Sequence, residues 1–338
     1  MKRKDFIGNG LLLGLGLPLV SSSPEPELPG KQPPFLKPGD TIAITSPAGF
    51  VTLEEVIPAV RQMESWGLNV RLGSTIGKKD GTFGGTDEER AADFEVLLKD
   101  PTVSAIMCAR GGYGFVRIID RIDFGHLRRH PKWLIGFSDI TVLHNHVNRH
   151  YGIATLHSKM CNSFPTDWNA AEPIQMETIL SIKRAIMGEH LLYTAPAHPQ
   201  NKQGRAEGVL VGGNLRILEN LAGSASDIHT RGKILFVEDT GEYLYSIDRM
   251  FWNLKRSGKL EHLAALVVGG FKVKPAEKPE EEFGKNLVEI VLEKMEDCSY
   301  PVCFDFPVGH QKNNFALKCG LRHQLQVTEI GTTLREIK

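Results

Sequence analysis

From Leu36 onward the chain alternates short apolar runs with amphipathic segments, and that alternation fixes the fold class. Thr41-Ile42-Ala43-Ile44-Thr45 reads as a buried strand, and Ser46-Pro47-Ala48-Gly49 as the turn that ends it. Thr52 then opens a helix to about Trp66, with Glu54 and Glu55 in its first turn, where carboxylates meet the positive end of the helix dipole. A second strand covers 68–72, and Thr86-Asp87-Glu88-Glu89 forms a capping box for a helix through Leu98. Val103–Cys108 is a third strand, a helix is predicted from about Phe115 to Ile122, and Lys132–Gly136 is a fourth strand. Strand and helix alternating at this spacing imply an α/β protein, with a parallel sheet covered by helices on its faces.

The chain has 338 residues, which exceeds the usual size of one domain, so two are expected. The alternation breaks over 162–204, where Pro165, Pro173, Pro196 and Pro199 surround one amphipathic helix, roughly Ile174 to Met187. That segment is expected to connect an N-terminal domain, 36–161, to a C-terminal α/β domain with additional β-strands, 205–338. The second half restarts at Gly208-Val209-Leu210-Val211-Gly212-Gly213-Asn214-Leu215. Strands follow over 233–237, 264–268 and 302–306, helices over 246–256 and 285–295, and a hairpin-like run over 324–337.

Composition narrows the classes of partner. Lys plus Arg and Asp plus Glu both number 40, so the formal charge is zero and no basic field points to nucleic acid or an anionic membrane surface. The N-terminus differs from the rest. Met1-Lys2-Arg3-Lys4-Asp5 is a basic start, Phe6 to Val20 is apolar and rich in Leu and Gly, and three serines follow. Residues 1–23 therefore read as a signal peptide, or as an N-terminal anchor if uncleaved, since no clear A-x-A site is visible. The run is too short and too Gly-rich for a comfortable membrane span. Residues 24–35, rich in Pro and Glu, read as a solvated linker. Export, to a periplasm, is the expectation, with membrane contact only through the N-terminal segment. The five cysteines form no C-x-x-C pattern, so neither a zinc ligand set nor a disulfide is predicted, and Cys108 reads as a small core residue.

In parallel α/β sheets functional groups gather at the carboxyl ends of strands. Three residues with acid, base or nucleophilic chemistry fall there. Ser138 follows Trp133-Leu134-Ile135-Gly136-Phe137 and precedes helical spacing at 140, 143 and 147, a strand–turn–helix corner like that of a nucleophile elbow. The match to G-x-S-x-G is partial, and Ser138 or Asp139 capping the helix is the plainer alternative. Glu238 ends Ile234-Leu235-Phe236-Val237, with Asp239, Glu242 and Asp248 as other acids in reach of the same role. His310, one of twelve histidines, follows Pro307-Val308-Gly309. Serine, carboxylate and histidine make a workable set, because the imidazole takes the serine proton and the acid fixes its tautomer. Arg110-Gly111-Gly112-Tyr113-Gly114 is neither Walker A nor G-x-G-x-x-G, and its glycines suit backbone N–H groups approaching a reacting carbonyl. His146 and His150 stand i, i+4 as metal ligands can, without the glutamate of H-E-x-x-H.

Several segments resemble the LD-carboxypeptidase family, which includes muramoyl-tetrapeptide carboxypeptidases and the microcin C immunity peptidase. They are residues 84–93 (GGTDEERAAD), Ala109–Gly114, Ile135–Thr141, Gly212–Leu215, Val237–Asp239, Tyr245–Arg249 and Pro307–His310, in the family's order. The resemblance implies two domains, the first a flavodoxin-like parallel sheet carrying the nucleophile, with the site at their interface. It implies Ser138 as nucleophile, Glu238 as orienting acid and His310 as general base. The oxyanion hole it implies uses the N–H of Asp139 and of Gly112, or Gly111 instead. It implies a homodimer, a peptide substrate, no cofactor and no metal. Where relatives read His-Gly-Pro, this chain has His157-Ser158-Lys159, at a place near the site.

The expected activity is release of terminal D-alanine from peptidoglycan tetrapeptides by a serine carboxypeptidase. Hydrolysis of a peptidyl-nucleotide antibiotic, or exported non-catalytic capture of cell-wall peptides, are the alternatives.

Overall fold

The structure, a computed structural model, describes residues 30–337; the expected signal segment and the first half of the linker lie outside the described residues. The first lobe runs β1 (Thr41–Thr45), α1 (Leu53–Ser65), β2 (Asn69–Leu72), α2 (Asp87–Lys99), β3 (Val103–Cys108), β4 (Trp133–Gly136), α3 (Thr141–Tyr151) and β5 (Thr155–His157). These strands are parallel in the order β2-β1-β3-β4-β5, the flavodoxin-like winding. Helices on both faces explain why β3 and β4 are apolar runs rather than alternating ones. One core packs Val56, Ala59 and Met63 of α1 against the sheet, and the other packs Phe94, Leu97 and Leu98 of α2 with Val142, Leu143 and Val147 of α3. Capping boxes at Thr52/Glu55 and Thr86/Glu89 start α1 and α2 where the sequence places them.

The helix expected over 115–122 is instead two 3₁₀ turns, Phe115–Arg117 and Ile119–Arg121, with a third over Phe124–Arg128. The segment breaks at Ile118, whose φ of −115° interrupts the helical run, and leaves the helix at Ile122, which is extended; Phe115, Ile118 and Ile122 are buried all the same.

Residues 162–204 belong to both lobes rather than tethering them. Helix α4 (Pro173–Met187) buries Ile179, Ile182, Ala185 and Ile186 in the first lobe's core, and β6 (Leu192–Pro196) edges the second sheet. The second lobe continues with β7 (Gly204–Asn214), α5 (Leu215–Asn220), β8 (Ile234–Thr240), α6 (Leu244–Arg256), β9 (Ala265–Lys272), α7 (Leu287–Lys294) and β10 (Val302–Cys303). It ends with β11 (Leu317–Cys319), β12 (Arg322–Thr328) and β13 (Gly331–Glu336). Its sheet runs β10-β9-β8-β7-β12-β13-β6, parallel from β10 to β7 and antiparallel beyond. The strand expected over 302–306 stops at Cys303, because Phe304 N–H donates to the Asn201 side chain and Asp305 turns with φ +54°.

Strand β11 leaves the second lobe and pairs antiparallel with β5, Leu317 opposite His157 and Cys319 opposite Thr155, completing the first sheet at six strands. Beside it, α3 docks on the second lobe: His146 Nδ1 meets Ser226 Oγ at 2.9 Å and His150 Nε2 meets the Ala225 carbonyl at 2.7 Å. Because the lobes share a sheet, they are expected to unfold together. Truncating the fully buried Leu317 to Ala should cost about 2–5 kcal/mol, read by urea denaturation, with circular dichroism and tryptophan fluorescence changing in one transition. Two separated transitions in the native protein would contradict this.

Candidate active site

Ser138 stands at the corner between β4 and α3. Its φ is +62°, in the left-handed region, where a non-glycine residue costs on the order of 1–3 kcal/mol unless its surroundings over-determine it. Here they do. Gly136 leaves room for Ile140, whose Cγ2 would lie 2.9 Å from a Cβ at that position, and Ile140 N–H donates to the Phe137 carbonyl at 3.2 Å. Neither Ser138 nor Asp139 caps α3, whose first turn has no side-chain cap. The Asp139 carboxylate points the other way and accepts the Phe115 N–H at 2.8 Å; burial raises its pKa above the ordinary carboxylate value.

The glycine-rich segment leaves β3 and lies against this corner. A Cβ on Gly111 would fall 3.2 Å from Ser138 Cβ and 3.3 Å from Met160 Cε, so the bare backbone borders the serine. The Gly111 carbonyl accepts the Gly49 N–H at 2.8 Å, tying the segment to the turn after β1, and Gly112 has φ +89°. Arg90, fully buried on α2, gathers these pieces. Its guanidinium donates to the carbonyls of Pro47 at 2.6 Å, Gly114 at 2.9 Å and Gly85 at 3.1 Å, and pairs with Asp87. Asp87 in turn accepts two bonds from Arg117, at 2.9 and 2.8 Å. The charged run 84–93 is legible as a helix start; that its arginine holds three backbone carbonyls around the glycine segment is not.

From the second lobe come Glu238 on β8 and His310 on the loop between β10 and β11. His310 Nδ1 donates to Glu238 Oε2 at 2.5 Å, with Glu238 fully buried. Gly309 permits that approach: it has φ +102°, and a Cβ there would sit 2.3 Å from Glu238 Cβ. The imidazole lies against Phe137, ring centroids 4.9 Å apart, so it abuts the residue before Ser138. The other acids are engaged elsewhere. Asp239 accepts from Asn214 Nδ2 at 2.9 Å and from the N–H of Arg216 at 2.9 Å and Thr240 at 2.7 Å, and burial raises its pKa to about 6. Asp248 pairs with Lys294, and Glu242 faces Arg216 at 4.0 Å.

The seam between lobes lies beside these groups. Thr141 Oγ1 accepts the Asn214 N–H at 3.0 Å, and a Cβ on Gly213 would fall 2.4 Å from that same oxygen. His157 fills the joint, its ring 5.8 Å from Phe137 and 4.9 Å from Phe236; burial holds its pKa well below the ordinary value, so it is neutral. His146 and His150 face the second lobe, and among the described residues no group of three His, Cys, Asp or Glu could hold a metal ion. Cys108, Cys161, Cys303 and Cys319 are buried free thiols.

A strained serine on one lobe and a histidine on a buried carboxylate on the other describe a two-lobed serine hydrolase. Known proteins agree. The sequence matches the LD-carboxypeptidase N-terminal domain over 42–158 and the C-terminal domain over 207–325. It is 34% identical over 300 residues to a probable murein peptide carboxypeptidase of Bacillus subtilis, covering 88% of this chain and 92% of the relative. It is 31% identical to the murein tetrapeptide carboxypeptidase of Pseudomonas aeruginosa, over 82% of this chain and 91% of that protein. The solved muramoyltetrapeptide carboxypeptidase of Oxalobacter formigenes superposes with a TM-score of 0.77 at 27% identity, covering 88% of this chain and 99% of that one. The microcin immunity protein MccF, solved with glutamyl sulfamoyl guanosine, gives 0.78 over 90% and 98% of the two chains, a likeness of fold at 22% identity. The chain belongs to the LD-carboxypeptidase family, the serine-type peptidases of that name.

Arg90→Lys keeps a buried cation but loses the planar fork that reaches several carbonyls at once. It is expected to lower kcat by about tenfold or more with a smaller change in KM, measured by steady-state peptide hydrolysis. Unchanged kcat in a folded variant would show that the guanidinium does not hold the glycine segment for the reaction.

Proposed function

We propose that Ser138, His310 and Glu238 form the triad of an L,D-carboxypeptidase. Its substrate is the amide between the L-centre of a diamino acid and the terminal D-alanine of a peptidoglycan tetrapeptide. Ser138 Oγ attacks the carbonyl carbon while His310 Nε2 takes its proton. The tetrahedral oxyanion is met by the N–H of Asp139 and of Gly112, with Gly111 as the other donor the segment offers. His310 then gives the proton to the departing amine of D-alanine. Water, deprotonated by the same imidazole, releases the tripeptide from the acyl-enzyme. Glu238 holds Nδ1–H, which leaves Nε2 free to act as the base.

The observation that carries this assignment is the 2.5 Å bond from His310 to Glu238 on an imidazole packed against Phe137, the neighbour of the strained Ser138. The named carboxypeptidase relatives support murein peptide as the substrate class. MccF shares the fold, which keeps a peptidyl-nucleotide as the second substrate to try. The basic, then apolar N-terminus supports export, with signal-peptide removal or anchoring. Among the described residues no helix is long and apolar enough to cross a membrane. A homodimer is proposed from the family resemblance alone, and size-exclusion chromatography tests it.

Incubation with murein tetrapeptide should yield tripeptide and free D-alanine by mass spectrometry. Ser138→Ala and His310→Ala are each expected to lower kcat by at least about 10³-fold, and Glu238→Gln by about 10²–10⁴-fold. A chelator should leave the rate unchanged. Full activity in Ser138→Ala would remove the mechanism even if cleavage occurred.

A further inference from the structure

Lys159 is the residue that the triad leaves unexplained. It follows His157-Ser158 in the chain that leaves β5 at the lobe joint. Its ammonium donates to the Gln311 carbonyl at 2.8 Å, one residue beyond His310. The same nitrogen lies 5.6 Å from the centroid of Phe137, the ring that His310 also touches. It is only partly exposed, and among the described residues it has no carboxylate within ion-pair distance. The charges that face it are Glu238, already bonded to His310, and Lys272 at the end of β9, which repels it. Burial and that repulsion lower its pKa to about 8.

A half-buried cation with one backbone acceptor has donors left over, and an isolated charge in that position is costly unless an anion meets it. Its place indicates which anion. Gln311 and Phe137 put it on the imidazole's side of the serine, where the leaving amine collects its proton. In a carboxypeptidase the departing residue carries a free carboxylate two bonds from that amine. We propose that Lys159 receives the C-terminal carboxylate of the leaving D-amino acid and so makes this enzyme select peptides with a free terminus. The inference rests on the L,D-carboxypeptidase activity proposed above.

The test compares kcat/KM on a murein tetrapeptide ending in D-alanine with the same peptide ending in D-alaninamide, for the native protein, Lys159→Met and Lys159→Arg. The native protein should favour the free acid on the order of tenfold to a hundredfold, the usual scale of a charge-assisted hydrogen bond. Lys159→Met should lose at least about tenfold more on the acid than on the amide, with KM bearing most of the change, and Lys159→Arg should keep the preference. Lys159→Gln, which retains a donor for Gln311, gives the same comparison should the methionine variant not fold. Equal losses on both peptides, or no loss on either, would overturn the inference while leaving the activity in place. No turnover of tetrapeptide by the native protein would remove the activity and the inference with it.

Discussion

The site exists only because the two lobes meet in one register, and a short line of hydrogen bonds sets that register. Thr141, three residues after Ser138, accepts the Asn214 N–H; the Asn214 side chain donates to Asp239; Asp239 is the neighbour of Glu238, which holds His310. Each link is buried or nearly so, where an unpaired polar group costs about 1–3 kcal/mol. A slip at the seam would orphan several of them together. The β5–β11 pairing fixes the other flank, since β11 begins seven residues after His310 and its register on β5 is set by hydrogen bonds. The histidine is held between a carboxylate on its own lobe and a strand locked into the other.

Glycines make the close approaches possible, and their positions explain motifs that look like loop composition in the sequence. Gly309 lets the chain pass Glu238 at a distance no side chain allows, and Gly213 lets β7 end against Thr141. Gly111 adds no side chain of its own between Ser138 and Met160. The strain sits at Ser138, the one of these positions that carries a side chain and the proposed nucleophile. It is held there by the packing of Gly136 against Ile140 and by the Asp139 bond to Phe115.

The parallel sheet of the first lobe was legible because its inner strands are buried on both faces and α1 and α2 carry capping boxes, both local signals. The corner at Ser138 was legible for the same reason, as a strand end followed by helical spacing. Three features were not. The turns after Gly114 keep apolar spacing that a helix would also satisfy, and only the backbone at Ile118 and Ile122 separates the two. The crossing of β11 into the first sheet depends on partners some 160 residues apart, and Leu317-Lys318-Cys319 has no pattern that names its partner. Choosing Glu238 over Asp239 rested on family likeness, because the strand-end position suits both. Their surroundings differ: Glu238 meets an imidazole, and Asp239 meets Asn214 and two backbone N–H groups.

Arg90 shows how much of the site's electrostatics lies outside the reacting groups. A buried guanidinium is costly to desolvate, and its pairing with Asp87 offsets only part of that. What remains is directed at the carbonyls of Pro47, Gly85 and Gly114. A peptide plane whose carbonyl is fixed has its N–H direction fixed as well, since the unit is rigid. The Gly49–Gly111 bond therefore sets the orientation of the Gly112 N–H, and holding the Gly114 carbonyl sets that of the Phe115 N–H, which meets Asp139. Donors that need no reorganisation when charge develops are the ones that lower a barrier. The energy for that arrangement comes from the folding of the first lobe, which explains why a motif on α2 belongs with the serine on the far side of β3.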